Sequence, residues 1–510
     1  MGVYEGLMDR RSFVSALAAT AAFGVAPARG WARPARAASA PEAVMRLGQR
    51  LLRLEEDGLD PRWYDATPLT MQDPAAVLRA AGLALADLVQ GRAAIPAARV
   101  DLRRDAAAHS MAPWLQQMAE AAEPTVVFDR ASLAHLEAPA LKAALAVARA
   151  RAAQGWAALP TAGGTLEPEA VDPIRVPPLR ARMAAIDPVL AASSGAGDDY
   201  DAELVAAVRR FQAAAGLEAD GRIGVATFAA LNRSPQVLVN QLRVAMDMRR
   251  GMAAPLRERR IEVNIPDYRL VVLEEGRTLL DMVVVVGRPS RPTPMIVTRL
   301  TAVQFNPPWG VPARLAKEDL LPKLRRDPAA VVQRGFRIYG RVDGESVEID
   351  PMTVDWRAVT AERFPYVIRQ DAGDANALGR LKFIMPNGDD IYMHDTPDRV
   401  YFRRADRAHS SGCIRLERPM DFLMMVGQGT AGMERDRVDR LLASRATSVT
   451  GLRRQLPVRL HYSTVTVERG PGGGPGGGEV RVRQDIYGLD EAYARQMEGR
   501  PARLPVMARS

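Results

Sequence analysis

Ile391-Tyr392-Met393-His394-Asp395-Thr396-Pro397 and, further on, His409-Ser410-Ser411-Gly412-Cys413-Ile414-Arg415 are the two stretches from which the rest of this chain can be read. Cys413 is the only cysteine, and His394 precedes it by 19 positions. A solitary cysteine makes no internal disulfide, and no second thiol exists for a cysteine-type zinc site, which leaves a nucleophile or an inert core thiol. Gly412 lets a backbone approach closely. An imidazole nearby could take the thiol proton, and the thiolate is the nucleophilic form. The nucleophile is the preferred reading, and the buried thiol is its alternative.

The start of the chain bears on compartment. Asp9-Arg10-Arg11-Ser12-Phe13-Val14 leads into an apolar stretch from Phe13 to Val25 and then into the small-residue sites Ala35-Arg36-Ala37 and Ala38-Ser39-Ala40. Residues 1–40 therefore read as a twin-arginine-type signal peptide, and the protein as exported to the periplasm with no transmembrane segment after cleavage. An unpaired cysteine in an oxidising envelope makes sense if the thiol is used. The formal charge is +9, and the first 40 residues hold five arginines against Glu5 and Asp9, so the remainder stands at +6. Lys142, Lys317, Lys323 and Lys382 are the only lysines. No helix-turn-helix, zinc-finger spacing or aromatic-studded basic stripe accompanies the charge, so no nucleic-acid partner is expected. A basic envelope protein meets anionic surfaces readily. At 510 residues, two to four domains are expected.

Residues 41–175 are rich in alanine, leucine and arginine at helical spacing and read as a helical scaffold, with breaks at Gly58-Leu59-Asp60-Pro61 and before Pro96. Gly195-Ala196-Gly197 reads as a linker. Residues 176–235 form a compact unit: Leu204, Val208 and Phe211 lie on one helical face, Asp220-Gly221 makes a turn, and a short helix is capped near Thr227. The pattern Ala-Val-x-x-Phe-Gln, Gly-Leu, Asp-Gly, Thr and Ala-Leu-Asn resembles the small three-helix peptidoglycan-binding domain. That likeness implies Phe211 and Leu231 in the core and a shallow groove for glycan or peptide beside Asp220; a non-binding helical spacer is the alternative. Residues 236–257 read as a linking helix of the scaffold.

From Arg260 the texture changes to strands at Ile261–Ile265, Tyr268–Leu273 and Leu279–Val286. There follow Asn306-Pro307-Pro308-Trp309, a largely helical or irregular insertion at about 313–374, Asn376-Ala377-Leu378-Gly379, and the two stretches quoted above. In this order, the Asn-Pro-x-Trp, Asn-Ala-Leu-Gly, His-Asp-Thr-Pro and Ser-x-Gly-Cys-x-Arg runs closely resemble the YkuD-type L,D-transpeptidase catalytic domain, in the larger YcbB-like class. The expected fold is multidomain α+β: a mostly-β catalytic domain over 258–468 with a lid insertion, preceded by the helical scaffold and the peptidoglycan-binding domain. Residues 469–510 add a glycine-rich loop, a final strand and a helix.

The resemblance implies Cys413 as nucleophile and His394 as general base. The backbone carbonyl of Asp395 would orient the imidazole, and the amides of Cys413 and Gly412 would form the oxyanion hole. Arg415, Ser411, Tyr392 and Trp309 are candidate substrate contacts. For Arg415 a structural ion pair is an equal alternative, and for Tyr392 and Trp309 core packing nearly so. His409 reads as a packing histidine. The implied reaction releases D-alanine from a donor tetrapeptide through a cysteine thioester and passes the acyl group to a neighbouring stem, with no cofactor and no metal. Peptidoglycan stem peptides and glycan are the implied partners, and other cell-wall synthases are candidates. An L,D-carboxypeptidase or hydrolase using the same site, or a non-catalytic wall-binding protein, are the alternatives.

Overall fold

The computed structural model describes residues 41–192, 195, 197–468 and 478–499. The stretch 1–40 read as a signal peptide, part of the expected 195–197 linker, most of the glycine-rich loop and the end of the chain lie outside those residues. The chain divides into two compact units. One comprises the residues up to Pro255 together with those from Ser463 onward, and the other is Leu256–Tyr462.

The first unit is helical. Its helix Pro74–Gln90 starts where Asp73 accepts the N–H groups of Ala75 and Ala76, with Pro74 in the first turn. Both devices satisfy or dispense with amides that the helix leaves unpaired. Leu47, Leu51, Leu85 and Phe128 build the core of this region. A second core lies in the compact segment over 176–235, around Leu179, Met183, Leu204, Val208 and Leu231. Phe211, expected in that core, is only partly buried at its margin. Gln212 is buried in its stead and holds the Asp220-Gly221 turn: its amide accepts from the Gly221 N–H at 2.9 Å and donates to Asp220 Oδ1 at 3.1 Å. Gly221 has φ +78°, and a Cβ there would lie 2.8 Å from Val205. Thr227, expected near the cap, lies inside its helix Val225–Leu231 and meets Gln212 at 3.2 Å.

Helices Ala138–Ala153 and Pro235–Arg249 pack with a hairpin of Val465–Glu468 and Glu479–Val482, which buries Val465. This hairpin therefore belongs to the helical unit, where sequence reading had carried the catalytic domain on to 468. Asp247 is fully buried and accepts from the Arg92 and Ala93 amides at 2.6 and 3.1 Å, from Arg104 at 3.1 Å and from the Tyr493 hydroxyl at 2.9 Å.

The second unit is β-rich. Its strands are β1 (Arg260–Asn264), β2 (Arg269–Glu274), β3 (Arg277–Gly287), β4 (Ile296–Phe305), β5 (Trp309–Gly310), β6 (Phe336–Val342), β7 (Glu345–Ile349), β8 (Val367–Gln370), β9 (Leu381–Ile384), β10 (Met393–His394), β11 (Ala408–Ser410), β12 (Ile414–Leu416) and β13 (Ser448–His461). The main sheet runs β11-β3-β12-β10-β9-β4-β13-β1-β2, and a further pairing of β2 with β3 closes it. Closure removes the exposed edges of an open sheet. Phe383, Met393 and Ile414 stand in register on β9, β10 and β12 and are fully buried, and Phe422 of helix Pro419–Val426 packs edge-on against Phe383.

The insertion is not helical or irregular throughout. After a run of four short helical segments over 313–333, its strands join β5 in a sheet of order β5-β8-β6-β7, over a core that includes Leu324, Phe336, Ile338, Trp356 and Ile368. The turn between β6 and β7 is Asp343-Gly344, both at positive φ, which is the two-residue hairpin geometry.

Candidate functional site

Side chains alternate across a sheet, so burial of Phe383, Met393 and Ile414 directs their neighbours to the opposite face. One row across that face is Gln304, Lys382, His394 and Arg415, paired strand to strand. On the same face, one side-chain step along, are Tyr392 and Cys413: the Ile414 amide donates to the Tyr392 carbonyl at 3.1 Å, which sets Cys413 beside Tyr392. His394 and Cys413 are thus diagonal neighbours on adjacent strands. The Tyr392 and His394 rings meet edge to face at 5.7 Å.

His394 is 5 % exposed, and its Nδ1 lies 2.5 Å from the carbonyl oxygen of Asp395. A carbonyl can only accept, so Nδ1 carries the proton and Nε2 is the basic nitrogen. Burial, then the Arg415 and Lys382 cations, push its pKa down to about 3 against the opposing pull of the Asp395 and Leu378 carbonyls. The ring is neutral at physiological pH. Burial also raises the Cys413 thiol above its ordinary value, although the Tyr392 amide, Lys382 and Arg415 favour the thiolate. The resting pair is thiol and neutral imidazole rather than an ion pair. Cys413 keeps partial exposure, with Sγ 3.9 Å from the Asp390 carbonyl oxygen.

The loop before Cys413 is tied at each residue. Ser410 Oγ donates to the Cys413 carbonyl at 2.6 Å and accepts from the Gly412 amide at 3.1 Å. Thr293 donates to the Gly412 carbonyl at 2.7 Å. Gly412 adopts φ +122°, open to few residues other than glycine. Its amide, expected as an oxyanion donor, is therefore already committed to Ser410, whereas the Cys413 amide has no partner among the described residues. Ser411 accepts from Arg291 at 2.9 Å, and the same guanidinium pairs with Glu318 and, at 2.6 Å, with Asp319 of the insertion. Arg291 leaves no mark in the sequence because its partners are distant along the chain.

Arg415 pairs with Asp398 at 3.2 Å, which is the structural alternative raised for it. Trp309 sits on β5, edge-on to Phe336 at 6.3 Å, and with Tyr392, Lys382, Asn387 and Asp390 it lines a cavity of about 500 Å³. His409 stacks on Tyr401 at 4.9 Å. The Asn-Ala-Leu-Gly run shapes the floor: the Asn376 side chain accepts from the Leu378 amide at 2.8 Å, and Gly379 turns at φ +61° against the Asp395 carboxylate, leaving no room for a Cβ. Among the described residues no group of three or more His, Cys, Asp or Glu is arranged to hold a metal ion, and no helix is long and apolar enough to cross a membrane.

Comparison with known families accords with this architecture. Residues 258–438 match the YkuD family, described as the L,D-transpeptidase catalytic domain, and residues 190–231 match the family described as "Putative peptidoglycan binding domain". The chain thus carries a YkuD-type L,D-transpeptidase catalytic domain together with a peptidoglycan-binding domain. A curated protein of Haemophilus influenzae named "Putative L,D-transpeptidase" is 40% identical over 248 residues, which is 49% of this chain and 48% of that protein, so the match spans about half of its length. Among solved structures, an L,D-transpeptidase from Mycobacterium smegmatis is 15% identical, covering 40% of this chain and 58% of that one at a TM-score of 0.19. Residues 123–326 of an L,D-transpeptidase from Xylanimonas cellulosilytica are 15% identical over 59% of this chain and 99% of that one, at 0.18. Overlays this loose carry no argument about the site.

Proposed function

We propose that this protein is an exported L,D-transpeptidase that cross-links peptidoglycan stem peptides through a thioester on Cys413. The observation that carries the reading is the buried His394, neutral and fixed in one tautomer by the Asp395 carbonyl, on the same sheet face as the single thiol. In this reading Nε2 of His394 takes the thiol proton as Sγ attacks the carbonyl of the third stem residue. Because the resting thiol is protonated, transfer and attack proceed together. The Cys413 amide donates to the developing oxyanion, where one such donor is worth about 3 kcal/mol. The imidazolium returns its proton to the departing D-alanine, leaving the thioester. An amine of a second stem then gives up a proton to His394 and displaces sulfur, restoring the thiol.

The Arg10-Arg11 pair ahead of the apolar Phe13 to Val25 stretch, and the match to a peptidoglycan-binding domain, support a periplasmic site of action on the wall itself. Water entering in place of the amine gives the second reading, an L,D-carboxypeptidase, which the partial exposure of Cys413 favours. Carbapenems are expected to acylate the same sulfur. The test is intact-protein mass spectrometry after acid quenching of the full chain with a disaccharide tetrapeptide. The expected result is an adduct equal to the donor less D-alanine, absent in Cys413→Ala; an unmodified enzyme that releases no D-alanine would overturn the proposal.

A further inference from the structure

We propose that Lys382 reads a carboxylate of the donor peptide beside the reacting carbonyl, a specificity role that rests on the transpeptidase reading above. Lys382 is one of four lysines in the chain and projects from β9 on the same face as His394. Its ammonium stands 3.9 Å from the centre of the Tyr392 ring, and it lines the 500 Å³ cavity shared with Trp309, Asn387 and Asp390.

Four guanidinium groups around the site are occupied. Arg415 pairs with Asp398, Arg399 with Asp395, Arg380 with Asp374, and Arg291 with Glu318 and Asp319. Lys382 has no carboxylate within 4.0 Å among the described residues, and Asp390 acts on it only from farther off. Holding a half-buried cation without a counter-ion is unfavourable unless something completes it. Cation–π contact with Tyr392 supplies part of that and leaves the ammonium's hydrogens for a ligand. A carboxylate entering the cavity would supply the rest. Arg415, a candidate substrate contact from the sequence, suits this role less than Lys382 because Asp398 already meets its charge.

The competing account is that Lys382 only favours the Cys413 thiolate, since the two interact electrostatically. Tetrapeptides amidated at one carboxylate at a time separate the two. The full chain is expected to prefer the free acid by about tenfold or more in kcat/KM at one of these positions, the range of a charge-assisted contact. Lys382→Met should abolish that preference and Lys382→Arg should keep most of it. If Lys382→Met instead slows free and amidated substrates equally, in step with slower iodoacetamide alkylation of Cys413, the proposal is wrong. Binding to Cys413→Ala requires no turnover: by calorimetry, adding Lys382→Met should weaken the free tetrapeptide about tenfold but not the amidated one. That difference in a protein whose wild type shows no turnover would sink the transpeptidase reading and leave the carboxylate site standing; its absence would overturn the carboxylate site.

Discussion

His394 Nδ1 donates to the carbonyl oxygen of the very next residue, Asp395, across 2.5 Å. A backbone carbonyl so close in sequence fixes the ring's direction without bringing a negative charge, which is why burial and the flanking cations prevail and the ring stays neutral. The native state therefore binds no proton at His394 between pH about 6.5 and about 3, whereas the unfolded chain does. Stability must fall as pH drops through that window, by about 1.4 kcal/mol per unit from this residue alone. Urea unfolding at several pH values should show a shallower decline for His394→Gln than for wild type.

Cys413 and His394 rest uncharged, so alkylation of Cys413 by iodoacetamide should be slow at neutral pH and climb through the ordinary thiol range and beyond it. A plateau of high reactivity below pH 7 would show a preformed ion pair and contradict this description.

Gly379 lies against the Asp395 carboxylate, where a Cβ would come within 2.7 Å of three of its atoms. Gly379→Ala should cost about 2 kcal/mol in chemical denaturation. Because Asp395 carries the carbonyl that orients His394, kcat should fall more than KM rises.

Arg291 joins Ser411 to Asp319. With Asp319 partly exposed, a double-mutant cycle of Arg291→Ala and Asp319→Asn should give a coupling of about 1 kcal/mol in stability. Arg291→Ala should also speed proteolysis within the Ala313–Leu315 to Pro328–Gln333 helices.

Asp247 anchors the helical unit through two amides, a guanidinium and a phenol. Asp247→Ala leaves the Arg92 and Ala93 amides and the Tyr493 hydroxyl without this acceptor and should cost about 3 kcal/mol or more, read from urea unfolding.

Much of this was legible in sequence because it is local. The strands around Val263 and Leu270 alternate with their burial, the run 283–286 is a continuous β-branched stretch of strand, and one thiol with one well-spaced imidazole restricts the chemistry to few classes. The insertion sheet also carries a local signal, because Phe336 and Ile338 alternate with Arg337 and Tyr339 ahead of the Asp343-Gly344 turn. Other features depend on residues far apart in the chain and had no such trace. Arg291 meets Asp319 and Ser411 only after folding, the Gly412 amide is taken by Ser410 only in this loop geometry, and Lys382 reaches His394 only through strand register.

The most direct test of the central claim is mass spectrometry of the products formed from disaccharide tetrapeptide by the full chain and by Cys413→Ala. Dimers that have lost one D-alanine, formed only by the intact thiol, are the expected result. Unchanged substrate with both proteins would contradict it, and tripeptide monomers alone would replace transfer to an amine by transfer to water.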